Sequence, residues 1–168
     1  NTACRIGVGA FFRKNAFEKI GGWREDYQLI PDYEYQIRLA QLGPFKRIPE
    51  FLGFYRVHEA STIYSKTDVK KANEFIELIE NFFSKTQAPY LEIRKKSILA
   101  KATLTSARTH WRSSRYKMAI TYFLKSIKIY PIILAKPYTY RLIFNALFNR
   151  TLHKIFLHTR RIFNLECR

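Results

Sequence analysis

Ile30-Pro31-Asp32-Tyr33-Glu34-Tyr35-Gln36-Ile37-Arg38-Leu39-Ala40 places a carboxylate at the head of an amphipathic helix. Pro31 keeps Ile30 extended, and Asp32 follows as the N-cap or a first-turn residue of a helix running to about Leu42. Tyr35, Leu39 and Leu42 share one face at i, i+4 and i+7, and Gly43-Pro44 ends the helix. Free N–H groups and the helix dipole favour an acid at this point, so capping is the plainest role for Asp32. Arg38, four residues after Glu34, is placed for an ion pair along one helix face.

Outward from this helix, Cys4 to Arg13 is short, apolar and punctuated by Gly7 and Gly9, the pattern of a buried strand. Position 12 is Phe, so the glycines do not form the Gly-x-Gly-x-x-Gly of a dinucleotide site. Asn15 caps a short helix through Ile20, with Ala16, Phe17 and Ile20 facing inward and Gly21 as its stop. Trp23 to Pro31 is a polar loop. Phe45 to Val57 reads as an extended segment or hairpin with Pro49 between its halves.

The order of these pieces carries more than any one of them. A strand leads to Phe-Arg-Lys and a helix, then Gly21-Gly22-Trp23, acidic Glu25-Asp26, Asp32-Tyr33-x-x-x-x-Arg38-Leu39-Ala40, and finally Tyr55-Arg56-x-His58-x-x-Ser61. Over about residues 3–64 this resembles the C-terminal half of family 2 glycosyltransferases, enzymes of GT-A fold that use nucleotide sugars. The resemblance implies an α/β fold for residues 1–65, as an incomplete C-terminal half of such a domain.

It also implies roles. Asp32 matches the general base of inverting members, which deprotonates the acceptor hydroxyl as that oxygen attacks the anomeric carbon. His58 and Arg56 match positions near the donor diphosphate or its metal, where positive charge would steady the leaving nucleotide. Trp23, Tyr33 and Arg38 fall where acceptor contacts or loop support are expected. The partners implied are a nucleotide-sugar donor and a glycan, lipid-linked or protein acceptor. A divalent metal, Mg or Mn, is implied for the whole enzyme. Two departures stand out. Pro31 replaces the usual Glu before the base, and the metal-binding Asp-x-Asp is absent, the only aspartates being Asp26, Asp32 and Asp68. The expectation is a chain that is catalytically incomplete without an N-terminal half.

Residues 66–168 form the second expected unit, an all-α basic extension. Net charge is +17 over 168 residues, of which +2 lies in residues 1–65 and +15 beyond. Asp68 to Ser84 reads as a helix with Ala72, Phe75, Ile76, Ile79, Phe82 and Phe83 at helical spacing. Tyr90 to about Trp111 and Arg115 to Tyr130 form the next two, joined at Ser113-Ser114 and ended by Pro131. This pair, about residues 100–133, resembles a single tetratricopeptide repeat through Ala107, Tyr116, Ala119, Phe123 and Pro131. Tyr138 to Phe163 adds one or two basic amphipathic helices, suited to an anionic membrane surface. A core-facing helix with a solvated basic side fits the same pattern.

A non-enzymatic basic module that binds a protein or an anionic membrane is therefore the alternative function. No nucleic-acid motif accompanies the charge. His153 and His158, five apart, have poor metal spacing on a helix. Cys4 and Cys167 match no metal or disulfide spacing and suggest a reducing compartment, the cytoplasm, and the basic helices add the inner membrane face as a peripheral docking surface.

Overall fold

The computed structural model describes residues 10–50, 52–53, 66–86, 89–144 and 148. These residues are mainly helical and hold no strand. This corrects the expected α/β fold. A strand needs a neighbour to satisfy its N–H and C=O groups, and residues 45–50 and 52–53 have none among the described residues. Phe45, Ile48 and Leu52 are all exposed. Residues 10–13, the described end of the other expected strand, are irregular too, with Phe11 exposed. Cys4 to Gly9 and Phe54 to Val57 lie outside the described residues.

The chain divides into two compact units, Asn1–Gln87 and Ala88–Arg168. The first holds α1 (Lys14–Ile20), α2 (Pro31–Ala40) and α3 (Val69–Lys85). In α1 the N-cap is Arg13, without a side-chain cap, so Asn15 lies inside the helix and does not cap it. Phe17 points outward. Gly21 stops the helix at φ 74°, a left-handed conformation that glycine adopts without a Cβ penalty, and its N–H donates to Phe17 O at 2.8 Å.

In α2, Pro31 takes the first helical position, where a missing N–H costs nothing. Ile30 is not extended: at φ −131° and ψ 36° it is already turning into the helix. Tyr35 and Leu39 are buried as their spacing predicts, but Leu42, beyond the last turn, is exposed.

Asp68 caps α3, its Oδ1 accepting the Lys71 N–H at 2.8 Å. The charge step after residue 65 does not coincide with the packing boundary, because α3 packs on the polar loop of the first unit. Tyr27, Ile30 and Leu78 form one buried cluster, flanked by Leu29, Tyr33, Ile37 and Phe75. Each such side chain fully withdrawn from water contributes about 1.5–3 kcal/mol.

The second unit is built on the hairpin of α4 (Pro89–Arg112) and α5 (Tyr116–Ile129), followed by a 3-10 helix, Pro131–Ala135, and helical backbone over 137–144. The turn at Ser113-Ser114 has Schellman geometry. Ser114 sits at φ 62°, the Arg115 N–H donates to His110 O at 3.0 Å, and the Ser114 N–H donates to Trp111 O at 3.0 Å.

Small residues line the seam: Ala100, Thr103, Ser106, Ala107, Ala119 and Ser126 are all buried. They let the two backbones approach closely. Thr103 and Ser126 return their hydroxyls to Leu99 O and Phe123 O of their own helices. Ala100, Leu104, Ile133 and Leu142 close the core, with Phe123, Ile127 and Tyr138 against it. Of the expected basic helix over Tyr138 to Phe163, residues beyond 144 lie outside the described residues except 148. No helix among the described residues is long and apolar enough to cross a membrane.

Candidate functional site

The described part of the expected site is the start of α2, and two buried ionic devices fix it. The first is Arg38. Its guanidinium grips Glu34 with a fork of two bonds, Nε to Oε1 at 2.7 Å and Nη2 to Oε2 at 2.8 Å. The same guanidinium donates backward to the carbonyls of Ile20 and, at 2.8 Å, Gly22. One side chain thus ties the end of α1 and the Gly21-Gly22-Trp23 loop to α2. Glu34 is 2% exposed, so its charge is carried almost wholly by Arg38, with Arg24 4.0 Å away. Arg24 is itself held charged, its pKa raised chiefly by its hydrogen bond to Asp26.

The second device is Glu74. It reaches from α3 to accept the N–H groups of Gln28 at 2.9 Å, Leu29 at 2.7 Å and Ile30 at 3.2 Å. Its side chain is buried, and the three donors are the residues that lead into α2. A carboxylate here satisfies backbone groups and faces the positive end of the helix.

Sequence reading missed this residue. The available signal was slight: Glu74 lies four residues before Leu78, at the edge of the apolar face of α3.

Asp32 sits on this frame as the second residue of α2. The N-cap is Ile30, which makes no side-chain cap. Asp32 is exposed, and its Oδ1 accepts the neighbouring Tyr33 N–H at 2.8 Å. Trp23 is 56% exposed, its ring resting on buried Tyr35 at 4.6 Å, with Phe12 against the same ring at 5.4 Å. Arg38 lies over the Tyr35 ring at 5.2 Å. Tyr33 packs on Phe75 at 5.3 Å and so belongs to the joint with α3.

The structure therefore brings Trp23 and Arg38 together on the Tyr35 ring, with Asp32 in the first turn of the helix that carries Tyr35 and Arg38. Arg56 and His58 lie outside the described residues, as do His153, His158, Cys4 and Cys167. Among the described residues, no group of three or more His, Cys, Asp or Glu side chains is placed to hold a metal ion. The described residues do not supply a ligand set for the Mg or Mn that the resemblance implies.

The second unit contains a buried histidine that sequence reading passed over. His110 is fully buried, stacks on Tyr122 at 4.9 Å, and accepts at Nδ1 from Arg115 Nε at 2.9 Å. Burial, and then the Arg115 charge, push its pKa below the ordinary imidazole value.

Comparison with protein-family models, curated proteins and solved structures finds no match.

Proposed function

We propose that this chain supplies the acceptor-side base of an inverting sugar transfer from a nucleotide-sugar donor, with Asp32 as that base. The observation that carries the reading is an exposed carboxylate on a helix start held from both sides, by the buried Glu74 and the part-buried Arg38. Glu74 holds the backbone entering the helix, and Arg38 holds the loop beside it. A cap alone would not need this frame, since the hydrogen bond Asp32 accepts among the described residues comes from its neighbour's N–H. A base does need one, because proton transfer demands placement within hydrogen-bond reach.

In the proposed step Asp32 takes the acceptor hydroxyl proton while that oxygen forms the new bond to the anomeric carbon. The nucleoside diphosphate departs with the electron pair of the broken bond. The exposed Trp23 face offers a flat apolar surface of the kind that sugar rings stack on. Donor-side groups, including the positions of Arg56 and His58, belong to the reading as expectations, and the compartment it assigns is the cytoplasm.

The test is Asp32→Asn in the full protein that carries this sequence, assayed for nucleoside diphosphate release from a panel of nucleotide sugars. The amide keeps an oxygen for the Tyr33 N–H, so the fold is retained. Turnover is expected to fall about 10²–10⁴-fold with donor binding nearly unchanged. Parental turnover by the variant overturns the assignment.

A further inference from the structure

The second unit carries a surface that sugar transfer does not use. From Ile93 to Leu165 the sequence contains sixteen Lys and Arg and no Asp or Glu. A soluble face ordinarily mixes the two signs, so a run this long without an acid has a strong, uncompensated positive field.

On α5 the field coincides with exposed aliphatic side chains. Ala119 and Ser126 turn into the hairpin and are buried, while Lys117, Ile120, Thr121, Leu124, Lys125 and Lys128 form the opposite, exposed face. At 3.6 residues per turn these six occupy one continuous stripe, with Ile120 and Leu124 along one edge and the three lysines beside them. Ile120 is 53% and Leu124 58% exposed. The apolar character continues past the helix, where Ile132, Tyr140 and Phe144 are also exposed.

We infer that the α5 face docks on an anionic phospholipid surface, lysines at the headgroups and Ile120 and Leu124 in the acyl boundary. Charge complementarity alone would serve any polyanion. The exposed large aliphatics select the bilayer, because they gain by leaving water only where an apolar phase lies beneath the charge. A nucleic-acid backbone gives them no such phase, and its readers place aromatics or arginines where these aliphatics stand. The inference rests on the second unit and is independent of the role of Asp32.

The test uses the full chain in flotation with vesicles of phosphatidylcholine, with or without one third phosphatidylserine, at low and high salt. Binding is expected only with phosphatidylserine and weakens as salt rises. Replacing Lys117, Lys125 and Lys128 together by Gln lowers affinity about a hundredfold. Ile120→Ser with Leu124→Ser lowers it about tenfold while leaving every charge in place. All five helical positions involved in the loss are exposed, and circular dichroism confirms that the variants stay folded. No binding to phosphatidylserine vesicles overturns the inference. So does a loss that follows the lysines but not Ile120 and Leu124, together with competition by duplex DNA or RNA, which marks a polyanion site.

Discussion

Replacing Glu74 tests whether a single buried carboxylate positions the head of α2. It accepts three backbone N–H groups, at 2.9, 2.7 and 3.2 Å, and each bond is charge-assisted. In Glu74→Gln the amide oxygen best takes the Oε2 place, where it serves Leu29 and Ile30, and the NH₂ then faces the Gln28 N–H. Two bonds lose charge assistance, at about 1 kcal/mol each, and a third is lost for about another 1 kcal/mol. The expected cost is about 3 kcal/mol. Glu74→Ala leaves all three donors without an acceptor and adds a cavity, for about 4–5 kcal/mol. In a unit of this size 1 kcal/mol moves Tm by roughly 4–8 °C.

The assay is amide exchange resolved by residue, with urea unfolding alongside. Amides 28, 29 and 30 are expected to lose protection in Glu74→Gln before those of α4 and α5 change. A Glu74→Gln variant within about 0.5 kcal/mol of the parent, or unchanged exchange at those three amides, refutes the reasoning.

Removing the Arg38 fork by Arg38→Met strands the buried Glu34 charge and costs about 3–5 kcal/mol by urea unfolding. Glu34→Gln added to it recovers a large part, and a strictly additive double mutant refutes the coupling. His110 makes the second unit pH-sensitive. Its folded pKa is depressed, so its contribution to stability is fully present above the ordinary imidazole value and is lost as pH falls below it toward the folded value. Thermal melts of the second unit are expected to drop from pH 7 to pH 5, about the window in which an unfolded histidine gains its proton, and His110→Gln should flatten that slope. An unchanged slope in the variant counts against His110.

The helices of the second unit were legible because their signals are local. Apolar residues recur at helical spacing from Ala100 to Ile129, and Ser113-Ser114 and Pro131 punctuate them. The α3 boundary was equally open to reading, with Asp68 as its cap. The lack of strands among the described residues was not. Phe45 to Val57 has strand composition, yet a strand is a relation between segments, and composition states only one side of it. Phe17 was misjudged for a related reason: α1 is two turns long, too short for period alone to choose its buried face.

At the site, the Glu34–Arg38 pair followed from spacing, but the Arg38 bonds to Ile20 and Gly22 did not. The donors that Glu74 serves were invisible to any window, since they lie 44 to 46 residues away. Glu74 itself reads as a charge on a helix surface until the loop it holds is in place.

That separation has a kinetic consequence. Bringing Glu74 to residues 28–30 closes a loop whose entropy, by the logarithmic rule, costs about 3 kcal/mol beyond the fixed term. The hairpin of the second unit, joined by a turn that closes over five residues, faces about 1.4 kcal/mol by the same rule, less than half as much. Folding in the second unit can therefore run at the speed of local contacts, whereas docking of α3 on the loop belongs among the slower, non-local events. The helix that presents Asp32 gains its fixed orientation only when that late contact is made.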